Sequence, residues 1–233
     1  MNSMSTGLSG APGRELPLLW GSGNSRAVVK RVVPYAASPP RTLDSTEQQR
    51  LLQVTGEHAR GYRDHIFFSA ALGTALRLHE LLALNCGDVY SEAGRARRRF
   101  PLTVFKRSNP DQEMQEAIVP DSLQYKLERY RTWKQRRGDE LGPEAPLFVS
   151  RLGRRLSARM VRVLFVKWQK AAGFERSFNV HALRHTALSN LYAATNDLRL
   201  VQRVARHKDI NSTGIYLHPS DEKVLQAVRR QPC

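Results

Sequence analysis

Cysteine and long apolar runs are both scarce in this 233-residue chain. The two cysteines, Cys86 and Cys233, are too few for a disulfide framework or for a metal site built on thiolates, and they fit a reducing compartment. No apolar run approaches the ~18 residues that a membrane span needs, and the N-terminus lacks the apolar core of a signal peptide. We therefore expect a cytoplasmic protein that does not cross a membrane.

Acidic residues are also in short supply. The chain has 21 Asp and Glu against 37 Lys and Arg, so its formal net charge is +16. Such an excess is typical of a protein with a polyanionic partner, and nucleic acid is the leading candidate. Residues 151–170 contain no acid at all and are rich in arginine. We interpret this run as a DNA-phosphate surface rather than an ordinary solvated face, with contacts predicted from Arg154, Arg155 and Arg159.

The chain divides by composition into two parts. Residues 1–42 are rich in Gly, Ser and Pro and carry five basic residues against one acid, which predicts a flexible basic arm. Residues 43–233 are predicted to form the structured domain. Its first helix is expected to begin at a capping box, with Asp44 as the N-cap and Glu47 three residues later.

Hydrophobic periodicity predicts mostly helices in residues 43–233. The fold class that follows is mainly α with one small antiparallel β-sheet (α+β). The sheet is a hairpin of Phe100–Phe105 and about Glu116–Val119, joined by a polar Asn-Pro-Asp turn. The predicted helices are two within 62–84 that break near Gly73, followed by 121–137, 157–172, 181–194, 198–206 and 221–230.

The stretch "HALRHTALSNLY" (181–192) places His181, Arg184 and His185 at helical spacing. Val180 and Leu183 begin an apolar stripe on the other side of the same helix, which is expected to face a core. Taken alone, the stretch is explained by a half-buried arginine beside a core histidine. Alternatively, the cationic side chains at the start of this helix bind an anion.

Three other stretches decide between these interpretations. They are "GTALRLHELLALN" (73–85) with Arg77, "VFKRSN" (104–109) with Lys106, and "VARHKDINSTGIYLH" (204–218) with His207 and Tyr216. In this order and context, the residues resemble the catalytic domain of the tyrosine recombinases, the phage integrase family. The resemblance covers roughly residues 43–230. It implies the tyrosine recombinase catalytic-domain fold and a site-specific recombinase that cleaves and rejoins DNA through a 3′-phosphotyrosyl intermediate.

The resemblance also implies a role for each residue. Tyr216 is the nucleophile, so the energy of the broken phosphodiester is stored in a phosphotyrosyl bond and no cofactor or metal is needed. Two guanidiniums, Arg77 and Arg184, bind the non-bridging oxygens, because arginine stays charged and binds phosphate bidentately. Lys106 protonates the leaving 5′-oxygen, and His181 assists proton removal from the tyrosine. His207 is a further hydrogen-bond donor to the phosphate.

Several neighbouring residues are interpreted differently. His185 and Glu80 are expected to support their neighbours rather than to take part in the chemistry. The family usually has glycine before the first arginine and before the later histidine, where this chain has Ala75 and Arg206. We predict that Ala75 shifts the turn slightly. Arg206, like Arg107, is predicted to contact DNA.

The expected partners are double-stranded DNA recombination sites and further copies of the chain, as a dimer or tetramer on DNA. The short N-terminus resembles that of the fimbrial-switch invertases. The predicted helix at 221–230 docks either on a neighbouring protomer or on its own domain. Two alternative functions remain open at this point, a type IB topoisomerase-like relaxing enzyme and a DNA-binding relative that does not cut.

Overall fold

A computed structural model describes residues 41–102, 115–216 and 228–230 of the chain. It is mainly helical with a two-stranded antiparallel sheet, so the predicted fold class is confirmed. The helices are α1 (Ser45–Glu57), α2 (Tyr62–Thr74), α3 (Leu78–Ala83), α4 (Cys86–Val89), α5 (Asp121–Arg136), α6 (Ala158–Ala171), α7 (His181–Thr195), α8 (Leu198–Ala205) and α9 (Asn211–Gly214). The strands are β1 (Arg99–Pro101) and β2 (Glu116–Ile118).

The first helix begins at the predicted capping box. The Asp44 carboxylate accepts the Glu47 backbone N–H at 2.8 Å, and the Glu47 carboxylate accepts the Asp44 N–H at 2.9 Å. Just before it, the Leu43 backbone N–H donates to Thr186 Oγ1 of α7 at 2.8 Å. The start of the domain is therefore fastened to the helix that carries the central sequence motif.

The hairpin begins where the alternating pattern predicts it. Phe100 pairs with Ala117 across the two strands, and both side chains are buried, while the flanking Arg99 and Pro101 are exposed. The predicted extension of the first strand toward Phe105 lies outside the described residues. The pairing confirms an antiparallel sheet with one face on the core.

Two apolar clusters hold the domain together. The larger cluster contains most of the buried side chains of α1 to α6 and of the sheet, among them Phe67, Leu127 and Trp168. It also includes buried side chains of the first turn of α7. The smaller joins the end of α2 to α7, α8 and α9, and its buried members are Ala75, Ala187, Leu188, Val201, Ala205 and Tyr216. We call this second group the tyrosine cluster.

The predicted helices agree with the structure wherever it describes them. The break near Gly73 is confirmed, since α2 ends at Thr74 and α3 starts at Leu78. The short helices α4 and α9 were not predicted, because four residues are too few to show a period. The helix expected at 221–230 falls largely outside the described residues. Within the described part of the chain, no helix is long and apolar enough to cross a membrane.

Candidate active site

Arg184 lies one turn into α7 and joins the C-terminal ends of two other helices. Its Nη1 donates to the Ala75 carbonyl at 2.5 Å, and its Nη2 donates to the Ala205 carbonyl at 2.6 Å. Carbonyls at a helix C-terminus lack intrahelical donors and carry partial negative charge, so a guanidinium suits them. Burial, with Arg77 and Arg206 close by, lowers the pKa of Arg184 to about 10, and the side chain therefore stays charged at neutral pH.

The apolar stripe of α7 fixes this position as the sequence predicts. Val180, Leu183, Ala187 and Leu188 are all buried. The stripe packs on both apolar clusters and sets the rotation of the helix about its axis. Arg184 is therefore directed to the ends of α2 and α8 by the same packing that holds α7 in place.

The two helix ends that bind Arg184 share a left-handed backbone. Ala75 has φ 52° and ψ 26°, and Arg206 has φ 54° and ψ 47°. This conformation costs an L-residue about 1–2 kcal/mol, whereas glycine adopts it readily. The left-handed backbone therefore gives a physical reason for the glycine that the tyrosine recombinases usually have at both positions. Ala75 and Arg206 adopt the left-handed turn despite their side chains.

Arg77 stands at the N-cap of α3 and is paired with Glu80. The Arg77 backbone N–H donates to Glu80 Oε2 at 2.7 Å, and its Nη1 donates to Oε1 at 2.9 Å. Arg206 Nη2 donates to Glu80 Oε2, also at 2.7 Å. The Glu80 side chain is 4% exposed, against 27% for that of Arg77. Glu80 thus lies between two guanidiniums, which agrees with its predicted supporting role.

The charges around Glu80 keep it ionised. Burial raises the pKa of its carboxyl, but the Arg206 guanidinium and the Arg77 backbone and side chain outweigh that effect and hold the pKa below its usual value. Two arginines share one carboxylate, so positive charge remains near Arg184. Such a surplus favours an incoming phosphate oxygen.

Arg206 is predicted from the sequence to contact DNA, but the structure places its side chain against Glu80. Its side chain is only 7% exposed and is bound to Glu80, so the structure commits it to a protein partner rather than to DNA. Its Nη1 also donates to the Val204 carbonyl at 3.1 Å. The signal that sequence reasoning missed is the contact with Glu80, 126 residues away along the chain.

His207 follows Arg206 and contacts Arg184. Its Nε2 lies 3.3 Å from Arg184 Nη2, and its Nδ1 lies 3.1 Å from Thr213 Oγ1. Because a guanidinium only donates, Nε2 accepts and the ring proton is on Nδ1, which donates to the threonine hydroxyl. Burial, together with Arg184, Arg77 and Arg206, lowers the pKa of His207 to about 4. Donation from Nε2 to a phosphate therefore requires a change of protonation or tautomer.

Tyr216 is buried in the tyrosine cluster and is 7% exposed. Its Oη lies 2.9 Å from Nδ1 of His185, which is half-buried on α7. Burial raises the pKa of Tyr216 to about 12, although Arg184 and Arg77 act in the opposite direction. The phenol is therefore protonated at neutral pH, and its hydrogen-bond partner is the histidine that was expected only to support its neighbours.

The remaining predicted residues lie in different surroundings. His181, the first residue of α7, is exposed and lies near His185. Lys106 and Arg107 lie outside the described residues. The structure thus brings together Arg77, Arg184, His207 and Tyr216, with His181 at the edge of the group.

The arginines of the basic run at 151–170 have different hydrogen-bond partners. Arg154, and Arg159 in the first turn of α6, are exposed. Arg155 is exposed as well, and it donates from Nη1 to the carbonyls of Leu82, Ala83 and Leu84 at 2.8–3.1 Å. It therefore caps the C-terminal end of α3 while remaining exposed, and its contact with DNA stays a prediction. No group of three or more potential metal-ligating side chains occurs within the part of the chain that the structure describes.

Comparison with known proteins gives a consistent family. The model of the phage integrase family matches residues 41–223. Tyrosine recombinase XerC of Vibrio parahaemolyticus is 31% identical over 189 residues, and XerC of Xylella fastidiosa is 31% identical over 179 residues. These matches cover 81% and 77% of this chain but 57% and 56% of the relatives. The chain thus spans little more than half the length of the curated relatives that it matches.

Solved structures share the fold. The crystal structure of XerA recombinase superposes with a TM-score of 0.65 at 21% identity, covering 85% of this chain and 68% of that one. XerH site-specific recombinase, bound to its difH substrate before cleavage, gives 0.64 at 21% identity, covering 82% of this chain and 54% of that one. The catalytic domain of bacteriophage HP1 integrase gives 0.53 at 18% identity, covering 82% of this chain and 95% of that one.

Proposed function

Because this chain belongs to the phage integrase family, we propose that it is a site-specific DNA recombinase that breaks and rejoins DNA strands through Tyr216. One observation carries the proposal. A buried tyrosine lies close to two arginines, Arg184 and Arg77, on three different segments of the domain. A phenol beside fixed guanidiniums suits attack on a phosphodiester once its proton is removed, because the guanidiniums stabilise the negative charge that develops on the non-bridging oxygens.

The reaction follows from these groups. Tyr216 loses its phenolic proton to a histidine of the site as Oη attacks the scissile phosphorus, the P–O5′ bond breaks, and a 3′-phosphotyrosyl bond forms. Arg77 and Arg184 bind the non-bridging oxygens and stay charged throughout. The departing O5′ takes its proton from Lys106, whose role is carried over from the resemblance. His181 and His207 complete the proposed site with roles also carried over from the resemblance: His181 assists removal of the tyrosine proton, and His207 donates a hydrogen bond to the phosphate.

The partner is double-stranded DNA. Among solved structures of the same fold, XerH is bound to difH DNA and the Tn1549 transposon integrase is bound to transposon right end DNA. The net charge of +16 and the exposed arginines Arg154 and Arg159 support the same partner here. We further propose that two or four copies assemble on paired sites, because strand exchange needs more than one nucleophile.

The nucleophile is tested by replacing one hydroxyl. Nicked duplex DNA from the flanks of the chain's own gene is the substrate, since the released fragment diffuses away and the covalent adduct accumulates. We expect an adduct on denaturing gels from the unaltered chain and none from Tyr216→Phe. The matched control is Tyr192→Phe, a second tyrosine packed against the same cluster, which keeps the adduct. An adduct with Tyr216→Phe rejects the assignment. In a separate assay on an intact supercoiled plasmid that contains the same DNA, relaxation without strand exchange indicates a topoisomerase activity in place of recombination.

The DNA surface is tested separately, by salt titration. Arg154→Gln and Arg159→Gln are expected to weaken binding to all sequences alike and to lower the salt slope by roughly one unit for each lost phosphate contact. Arg129→Gln, an exposed arginine of α5, is the control. An unchanged slope returns residues 154 and 159 to an ordinary solvated face.

A further inference from the structure

His185 makes a contact with the reacting atom that the family resemblance did not predict. Its Nδ1 lies 2.9 Å from Tyr216 Oη, and the two ring centroids are 6.0 Å apart. We propose that His185 is the group that accepts the phenolic proton when Tyr216 attacks DNA. This inference rests on the proposed function and names a further catalytic residue for it.

The direction of the hydrogen bond follows from the charges around the ring. His181 and Arg184 lie nearby on α7, and His207 approaches from the segment after α8. Burial, with the His181 and Arg184 side chains acting in the same direction, holds the pKa of His185 below its usual value. A neutral ring with its proton on Nε2 leaves Nδ1 free to accept from the Tyr216 hydroxyl.

The other two histidines of the site are less suited to this step. His207 uses both ring nitrogens, one toward Arg184 and one toward Thr213. His181 is exposed at the start of α7, whereas Tyr216 Oη is bound to His185. Among these three imidazoles, His185 is therefore the one already in hydrogen-bond contact with the nucleophile, as a general base must be.

The arrival of DNA favours the transfer. A phosphate placed between Arg77 and Arg184 adds negative charge close to His185, which stabilises the imidazolium that forms. The O–H bond of Tyr216 breaks as the N–H bond forms on Nδ1, and the P–Oη bond forms as the P–O5′ bond breaks. On rejoining, the free 5′-hydroxyl attacks, the P–Oη bond breaks, and His185 returns the proton to Tyr216. Loss of the base therefore slows both directions.

The first test separates proton acceptance from simple positioning. His185→Asn keeps an acceptor oxygen near the position of Nδ1, but an amide cannot take up a proton. We expect single-turnover cleavage and rejoining both to slow by about 10²-fold, with DNA affinity unchanged. His65→Asn is the control, because His65 is also half-buried with a lowered pKa but bonds to the Leu52 carbonyl outside the site. A His185→Asn rate equal to or above that of the unaltered chain overturns the proposal.

The second test changes the acidity of the phenol. Incorporation of 3,5-difluorotyrosine at position 216 gives a more acidic nucleophile that depends less on a base. The loss caused by His185→Asn is then expected to shrink, which a purely structural role cannot produce. An equal loss with both phenols overturns the inference. If His185→Asn does not fold, as judged by circular dichroism, His185→Gln replaces it in both tests.

Different results would reject DNA cleavage by this chain and the role of His185 in it. Absence of any adduct from the unaltered chain on its cleavable DNA rejects the proposed function, and this inference with it. Normal adduct formation together with an undiminished His185→Asn rate rejects only the role of His185.

Discussion

The C-terminal ends of α2 and α8 bind Arg184 in the same way but use their side chains differently. Each end offers one backbone carbonyl to the guanidinium and contains a residue with left-handed backbone geometry. At α2 that residue is Ala75, whose methyl group packs in the tyrosine cluster. At α8 it is Arg206, whose guanidinium binds Glu80 and so connects this end to Arg77. One end is an acceptor alone, and the other also links the two arginines of the site.

Arg184→Lys breaks the contacts at both ends and has the largest expected effect. One ammonium cannot reproduce the two directed N–H groups that reach Ala75 and Ala205, nor bind a phosphate bidentately. We expect single-turnover adduct formation to fall by about 10²–10³-fold. Arg203→Lys, an exposed arginine of α8, is the control. Near-normal cleavage by Arg184→Lys contradicts the proposed binding of the phosphate by Arg184.

Arg206→Gly makes the α8 end resemble the α2 end. Glycine relieves the left-handed strain but removes the link through Glu80, so Arg77 loses part of its support. We expect adduct formation to fall by about tenfold, equivalent to about 1.4 kcal/mol of activation free energy.

The link itself is checked with Glu80→Gln in a double-mutant cycle. If Arg206 acts through Glu80, the combined variant is expected to lose less than the product of the two single losses. Independent losses indicate that Arg206 affects cleavage by another route.

Acidification tests the α8 end through His207. The pKa of His207 is lowered to about 4 in the folded chain and is about 6.5 in an unfolded one. The unfolded state therefore binds more protons in this window, and stability falls as pH drops from 6.5 toward 4. We expect a lower melting temperature at pH 5 than at pH 7, with a smaller difference in His207→Gln. The pKa of Glu80 is also lowered, so the stability that its ionised carboxylate provides is lost only at pH values below the usual pKa of a glutamate. If the melting temperatures of His207→Gln at pH 5 and pH 7 differ as much as those of the unaltered chain, His207 is not the cause of the acid destabilisation.

Ala75→Gly is expected to have the smallest effect. Relief of the left-handed backbone stabilises the fold by about 1–2 kcal/mol, while the freer unfolded chain and the lost methyl packing oppose it by a similar amount. Chemical denaturation should place the unfolding free energy within about 1 kcal/mol of the unaltered chain. Cleavage should also be unchanged. A large loss in either measurement means that the Ala75 methyl does more than fill space.

Local patterns account for the part of the structure that sequence reasoning predicted. The capping box of Asp44 and Glu47, the apolar stripe through Leu183 and Leu188, and the alternation at Phe100 each depend on residues close together in the chain. Such patterns follow the period of a helix or a strand, so they can be recognised in the sequence before the fold is known. The family motif supplied the site residues, and four of them meet in the structure.

The remainder depends on contacts between distant segments, which no local pattern reveals. Arg155 caps α3 across about 70 residues of chain, a contact that the sequence did not reveal. Arg206 finds Glu80 across 126 residues, and His185 finds Tyr216 across 31. Lone arginines and histidines carry no period, so tertiary packing alone decides which partner each one has.

The two carbonyl bonds of Arg184 also determine when the site comes into being. The bond to Ala75 closes 109 residues of chain, and the bond from Leu43 to Thr186 closes 143. Closing such long loops costs entropy that is recovered only after the intervening helices have packed. A chain emerging from the ribosome has Arg77 long before it has Arg184. The proposed site is therefore complete only after α7 and α8 have packed against the end of α2.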